Sequence, residues 1–246
     1  MNISHSVKFP KIDGIEFYLC GGAVRDLLLE RIPKDKDFIM ITSLTMKEVE
    51  NKLRELSKTE DTCIYQSKPE FNTIRCRIQG ENMDLAFPRT DKIIIKNNKV
   101  SNYTLRIGDL IVDSNRRDFT INSLYMSEDG EILNFQNGLE DLKNKIIKCV
   151  GNPDERIKED PVRILRAIRF SITLGFEIED ETLFSLSWNK NLLCNSYVSN
   201  DRIKEEINKA LSVDPLKTLN LLDKLDIYNI LKLKNNKYKI KLTDKT

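Results

Sequence analysis

Tyr18-Leu-Cys-Gly-Gly-Ala-Val-Arg-Asp-Leu-Leu-Leu29 is followed by Lys34-Asp-Lys-Asp-Phe38, and the reading of these two stretches decides the fold. Glu16 to Cys20 predicts a strand, Gly21-Gly22 a turn, Ala23 to Glu30 a helix, and Asp35 to Ile41 a second strand after a Pro33 turn. Two glycines between a strand and a helix let backbone approach a ligand closely, and the free N–H groups of the helix start suit a phosphate. Arg25 adds a cation to the first helical turn. Asp35 and Asp37, two apart on the predicted strand, would share a face with Cα atoms roughly 6.5 Å apart. Hard oxygen ligands at that spacing suit one or two Mg²⁺ ions. Solvated edge residues paired with Lys34 and Lys36 would give the same Asp-x-Asp, but the glycine turn, Arg25 and the strand placement favour the metal reading.

Working outward, Ser43 or Thr45 can cap an amphipathic helix running to about Ser57. Thr73 to Ile78 and Met83 to Phe87 alternate as strands, and Ile146 to Val150 reads as the last one. Pro88 to Asn115 is polar and poorly periodic, which predicts a long loop with one strand near Ile93. Beyond Asn152 the pattern becomes helical over Pro161 to Leu174, Glu181 to Leu193, Asp201 to Leu211 and Pro215 to Leu225. The expected organisation is α+β: a mixed head over residues 1–150, a helical neck over 151–231, and a Lys-rich tail over 232–246 that frays unless a partner holds it.

Composition narrows the chemistry. Of 246 residues 32% are charged and 40% hydrophobic, and His5 is the single histidine, so His-based triads and His-rich metal sites are disfavoured. Asp, Arg and Lys must carry any reaction. Cys20, Cys63, Cys76, Cys149 and Cys194 are scattered and never at Cys-x-x-Cys spacing, which points to reduced thiols rather than a disulfide framework or zinc cluster. With neither an apolar run of membrane-spanning length nor a signal-peptide layout, a cytoplasmic protein is expected. The net charge of +2 hides an uneven distribution. Lys232 to Thr246 holds six Lys against one Asp, leaving −3 for the preceding residues.

Two further stretches concentrate cations. Asn115-Arg-Arg-Asp-Phe-Thr-Ile-Asn-Ser-Leu-Tyr125 contains Arg117, Asp118 and Asn122; alone it would read as a helix-capping ion pair. In Glu159-Asp-Pro-Val-Arg-Ile-Leu-Arg-Ala-Ile-Arg-Phe170, Asp160, Arg163, Arg166 and Arg169 recur every three residues as one polar stripe on an otherwise apolar helix. Three arginines emerging from a largely buried helix are costly unless they line an anionic pocket, with i,i+3 pairing to Asp160 as the plainer alternative.

Taken together, these motifs resemble those of the class II tRNA nucleotidyltransferase (CCA-adding enzyme) and bacterial poly(A) polymerase family, within the polymerase β-like superfamily. The Gly-Gly-x-Val-Arg-Asp turn is Gly21 to Asp26, and the Asp-x-Asp is Asp35 to Asp37. Glu30 stands where the family has a glycine. Arg117 matches the nucleotide-contacting Arg of the second motif, with Asp118 and Asn122 as ribose or metal-shell partners. Asn134 to Leu142 is similar to the third motif, with Asn134 for its usual Asp. Ser199 to Leu211 looks like the fifth, with Asp201 for Glu, and Asp84 is a candidate third carboxylate.

The resemblance implies a polymerase β-like nucleotidyltransferase head and a helical neck that transfer CMP and/or AMP from CTP or ATP to the 3′ end of tRNA. Asp35 and Asp37 would be catalytic and hold two Mg²⁺, Gly21, Gly22 and Arg25 would meet the triphosphate, and Asp160 and Arg163 would read the base. A carboxylate accepts from the amino group that cytosine and adenine present, while a guanidinium donates to the neighbouring ring acceptor. Arg166 and Arg169 would serve phosphates or hold Asp160 and Arg163 in place. A poly(A) polymerase, another RNA 3′-end nucleotidyltransferase and a non-catalytic RNA-binding relative share the motifs. The resemblance covers about residues 15 to 225, whereas relatives continue into helical domains that grip tRNA. The Lys-rich end, a second copy of the chain or a second subunit is expected to replace that surface.

Overall fold

The computed structural model describes residues 7–96, 99–106 and 108–238. The chain forms two compact units, Met1–Leu142 and Lys143–Thr246.

The first unit is a mixed sheet with helices. Its elements run β1 (Glu16–Cys20), α1 (Gly22–Leu28), β2 (Asp37–Ile41), α2 (Met46–Leu56), β3 (Cys63–Lys68), β4 (Thr73–Ile78), β5 (Glu81–Ala86), β6 (Arg89–Lys96), β7 (Lys99–Arg106), α3 (Leu110–Asn115), β8 (Tyr125–Met126), β9 (Ile132–Leu133) and α4 (Gly138–Lys143). Seven strands make one sheet in the order β3-β4-β5-β2-β1-β8-β9. β2 lies at its centre, antiparallel to β1 and parallel to β5. Burial on both faces explains its unbroken apolar run, Phe38-Ile39-Met40, every residue of which is buried. Phe9 and Phe17 pack edge-on against Phe38, while Ile39 joins Cys20, Leu110 and Tyr125 in a cluster.

Local chemistry fixes the boundaries. Thr45 caps α2 through a capping box: its hydroxyl accepts from the Glu48 N–H, and the Glu48 carboxylate accepts from the Thr45 N–H. β4 and β5 are joined by the two residues Gln79 and Gly80, both at positive φ (50° and 84°), as a primed hairpin turn requires. That turn sets which residues of the two strands face one another, and it pairs Arg75 with Asp84.

Three sequence expectations change here. β2 starts at Asp37, so Asp35 lies in the preceding bend and not on the strand. Pro88 to Asn115 is not a long loop: β6 and β7 form a separate antiparallel hairpin, and α3 follows with Asp109 as its cap. Polar residues obscured the alternation that a strand pair of its own needs. β3, an exposed edge strand, has no counterpart among the predicted elements, because its residues bury too little to leave an apolar pattern.

The second unit comprises β10 (Ile146–Ile147), α5 (Pro153–Glu159), α6 (Arg163–Leu174), β11 (Glu177–Ile178), α7 (Asp180–Trp188), α8 (Asn200–Leu211), α9 (Pro215–Lys224) and α10 (Ile227–Tyr238). β10 pairs in parallel with β11, so the strand expected to complete the head sheet belongs instead to this unit. α6 is its buried axis, with Ile164, Leu165, Ala167, Ile168 and Phe170 enclosed and α8 and α9 packed on it.

α10 runs through the start of the predicted fraying tail. Lys234 is only 2% exposed and donates to the Leu193, Val198 and Asn195 carbonyls at 2.7, 2.9 and 3.2 Å. It closes the turn before α8, which removes it from any cationic clamp. Residues 239–246, and with them Lys239 and Lys241, lie outside the described residues. Among the described residues no helix is long and apolar enough to cross a membrane.

Candidate active site

In the first unit β1 ends at Cys20, and Gly21, with φ of 68° and ψ of −130°, turns the chain sharply into α1. Its N–H is anchored on the Leu124 carbonyl at 2.9 Å. A Cβ at Gly21 would stand 2.9 Å from Arg117 Nη1, so the missing side chain leaves room for that guanidinium.

Arg25, expected to face an anion, is buried beneath the turn. Its guanidinium donates to Asp26 Oδ1 at 2.6 and 2.9 Å and to Asn122 Oδ1 at 2.6 Å. Asn122 in turn donates to Asp118 Oδ1 at 3.1 Å, and that oxygen also accepts from the Phe119 N–H at 2.8 Å. The glycine turn and the 118–122 segment are therefore tied by one buried chain of hydrogen bonds. Asp118 and Asn122 serve in that chain.

Arg117 is held from several sides. It donates to Asp113 Oδ2 at 3.1 Å, to the Tyr125 hydroxyl at 3.0 Å and to the Asn122 carbonyl at 3.2 Å, and it lies over the Tyr125 ring at 4.8 Å. Asp113 has no exposed surface; it also accepts from Arg116 at 2.8 Å and from the Tyr125 hydroxyl at 2.8 Å. Burial pulls the Asp113 acid upward, but Arg117, Arg116 and Tyr125 outweigh it and hold it below the ordinary range. One buried carboxylate thus fixes two guanidinium groups, and the four-residue spacing from Asp113 on α3 to Arg117 just beyond its end was its sequence signal.

These arginines border a cleft of about 360 Å³, with Lys68, Arg75 and Arg89 as further cations and Asp37 and Asp84 as the carboxylates. Asp37 and Asp84 are direct neighbours across β2 and β5, so both face the cleft. Arg75, opposite Asp84 on β4, grips both Asp84 oxygens at 2.8 Å. Asp37 is open toward the cleft but crowded elsewhere by protein. That desolvation, with the charges of Asp84 and Asp35, pushes its acid up to about 6 against the opposing pull of Arg117 and Arg75. Asp35 is exposed in its bend and is not among the residues lining the cleft, though its charge reaches Asp37. Cys20 also lines the cleft, but burial lifts its thiol to about 11, which makes it a poor nucleophile.

Among the described residues no group of three or more His, Cys, Asp or Glu encloses a metal ion. Mg²⁺ asks for less: it keeps several waters and takes one or two carboxylates together with phosphate oxygens. Carboxylates on adjacent strands beside a cationic wall fit that demand. The crowded negative charge at Asp37 is what a divalent ion relieves.

In the second unit, the polar stripe is observed with different partners. Asp160 lies between α5 and α6, and it pairs with Arg202 of α8 at 2.6 and 3.2 Å, not with Arg163. Arg163 bonds Glu159 at 3.0 Å and the Arg156 carbonyl at 2.8 Å. Arg166, at 3.5 Å, and Arg169 both meet Glu206, a buried carboxylate of α8, and Arg169 also stacks on Phe170 at 3.9 Å. The two basic residues at the inner end of the stripe thus share one acid. Sequence reading took Ser199 to Leu211 only as structural support and so missed Arg202 and Glu206. Arg75, Lys68, Arg89 and Arg116 were missed in the same way, since nothing local distinguishes them from surface cations.

A family model described as poly A polymerase head domain matches residues 17–148. The CCA-adding enzyme of Lactobacillus helveticus is 38% identical over 196 residues, 80% of this chain and 46% of that protein. Among solved structures, the Bacillus stearothermophilus CCA-adding enzyme in complex with CTP superposes with a TM-score of 0.71 at 30% identity, over 87% of this chain and 49% of that one. The Thermotoga maritima CCA-adding enzyme complexed with tRNA gives 0.68 at 27% identity, over 88% and 48%. The chain spans about half the length of the curated relatives it matches. With its α+β head of the polymerase β-like nucleotidyltransferase type and a helical second unit, the chain belongs to the poly A polymerase head domain family.

Proposed function

We propose that the protein is a template-independent RNA nucleotidyltransferase that adds CMP and/or AMP from CTP or ATP to the 3′ end of tRNA. The observation that carries the reading is the Asp37 carboxylate, set beside Asp84 in a cleft walled by Lys68, Arg75, Arg89, Arg116 and Arg117. Such a cleft suits a reaction in which an RNA hydroxyl attacks the α-phosphorus of a triphosphate, a new P–O bond forms, and the α–β bridging bond breaks to release pyrophosphate. The likeness to CCA-adding enzymes over head and neck supports the choice of substrates.

Asp37 and Asp84 would hold the two Mg²⁺ expected, with Asp35, outside the cleft lining, adding its charge from the bend. When bound, that metal supplies activation of the attacking hydroxyl and neutralisation of the leaving pyrophosphate. The rest falls to the chain. Gly21 and Gly22 bring backbone close to the triphosphate, and Arg25 places its charge behind the turn while fixing Asn122. Arg117, oriented by Asp113 and Tyr125, meets the sugar-phosphate. Residues of the second unit read the base: Asp160 accepts from the amino group of cytosine or adenine and Arg163 donates to the ring acceptor, which disfavours UTP and GTP. Arg166 and Arg169, held by Glu206, keep that helix in place.

On this reading the first unit is the nucleotidyltransferase head and the second the neck, working in the cytoplasm. The test is primer extension on tRNA ending at the discriminator base, with each NTP alone and in mixtures. Addition of C, C and A from CTP and ATP is expected. Unlimited addition from ATP alone would make it a poly(A) polymerase, and no Mg²⁺-dependent pyrophosphate release would make it a non-catalytic relative.

A further inference from the structure

Asp37, Asp84 and Arg75 form a row across three neighbouring strands. Asp37 faces Asp84 in the β2–β5 register, and Asp84 faces Arg75 in the β4–β5 register. The Asp84 N–H donates to the Lys36 carbonyl at 3.0 Å, which fixes the row at its middle. Direct cross-strand neighbours project from the same face of a sheet, and all three residues line the one cleft. Both Asp84 oxygens are taken by Arg75 at 2.8 Å, the planar two-point geometry at which a guanidinium matches a carboxylate.

The Arg75 side chain is 64% exposed and that of Asp84 37% exposed. An ion pair so open to water contributes little to stability, about 1 kcal/mol or less. Arg75 therefore neutralises Asp84 at close range but can be displaced at small cost. A permanent structural bridge would be buried, as the Asp113 cluster is. A cation that sits beside the proposed metal carboxylates, on removable terms, competes with a divalent ion for the same oxygens.

We infer that Arg75 is a built-in counter-ion that occupies Asp84 when no divalent ion is bound and yields it on binding, so that this positioning residue sets the metal affinity of the cleft. The inference rests on the reading that Asp37 holds metal. Without Arg75 the cleft keeps its carboxylates and loses one positive charge, so a divalent ion should bind more tightly. With Asp84 neutralised, Arg75 should matter much less, through its remaining pull on Asp37 alone.

Binding of Mn²⁺, followed by the electron paramagnetic resonance of the free ion with neither nucleotide nor RNA present, tests this without turnover. Arg75→Gln should bind Mn²⁺ about two- to fivefold more tightly than wild type, the range an exposed pair corresponds to. Arg75→Lys, which keeps the charge, should return toward the wild-type affinity. Asp84→Asn and the Arg75→Gln/Asp84→Asn double variant should differ by less than Arg75→Gln differs from wild type, and a difference as large would overturn the role of Asp84 as the counter-ion's partner. An Arg75→Gln affinity equal to or weaker than wild type, with binding still lost in Asp37→Asn, overturns the role of Arg75. Unchanged Mn²⁺ binding in Asp37→Asn overturns the underlying metal reading instead.

Discussion

The Cβ that Gly21 lacks would lie 2.9 Å from Arg117 Nη1, so two segments nearly a hundred residues apart in the chain share one space. Gly21→Ala should fail twice over. Its φ of 68° with ψ of −130° suits glycine alone, at about 1–3 kcal/mol for another residue, and the methyl would push Arg117 from its place. A lower melting temperature together with weaker nucleotide binding is the expected pair of results. A stability loss with unaltered nucleotide affinity would separate the turn from the Arg117 position.

Asp37→Asn is expected to abolish nucleotide incorporation while leaving the melting temperature unchanged or raised. The substitution removes a carboxylate crowded by Asp84 and Asp35, so the fold loses no favourable charge. Asp35→Asn, altering a residue outside the cleft lining, should fall short of that loss in single-turnover incorporation assays. Equal abolition by both would restore Asp35 to full partnership.

Arg202→Ala removes the guanidinium that grips both oxygens of Asp160. Stability should change by about 1 kcal/mol or less, because this pair is half-open to solvent. The ratio of CTP and ATP to UTP and GTP incorporation should fall, as it should for Arg163→Ala. An intact preference in both variants would remove base reading from this helix pair.

Acid should act through Asp113. Its folded acid is held below the ordinary value of 3.8, so its contribution is complete above that value and disappears as pH falls through the lower folded one. Asp113→Asn leaves Arg116 and Arg117 without their shared carboxylate, at about 3–5 kcal/mol at neutral pH. Urea unfolding at pH 7 and near pH 3 should show a large gap between wild type and variant at the first and a smaller one at the second.

Lys234→Met should destabilise the second unit by about 1–3 kcal/mol, since three carbonyls of the turn before α8 lose their buried donor. Thermal melts read this directly. A variant as stable as wild type would mean that water replaces the amine.

Much of this was legible in the chain, for identifiable reasons. β1 and β4 are read to the residue because alternation and glycine or Asn boundaries coincide there. Thr45 announces α2 through its Glu48 partner. What escaped depends on pairing at a distance. Asp35 belongs by spacing to a strand that in fact begins at Asp37, and Lys234 looks like one more tail lysine until the carbonyls of Leu193, Asn195 and Val198 surround it. Asp160 has Arg163 as its local neighbour, yet its carboxylate goes to a helix some forty residues away.

The two-residue turn at Gln79 and Gly80 reaches further than its size suggests. Side chains alternate between the faces of a strand, so one residue inserted in that hairpin would send Arg75 to the opposite face and leave Asp84 bare beside Asp37. The electrical balance of the cleft is thereby written into a loop length. A deletion or insertion at this turn, which touches neither Asp37 nor Asp84, could retune the site as surely as exchanging one of its charges.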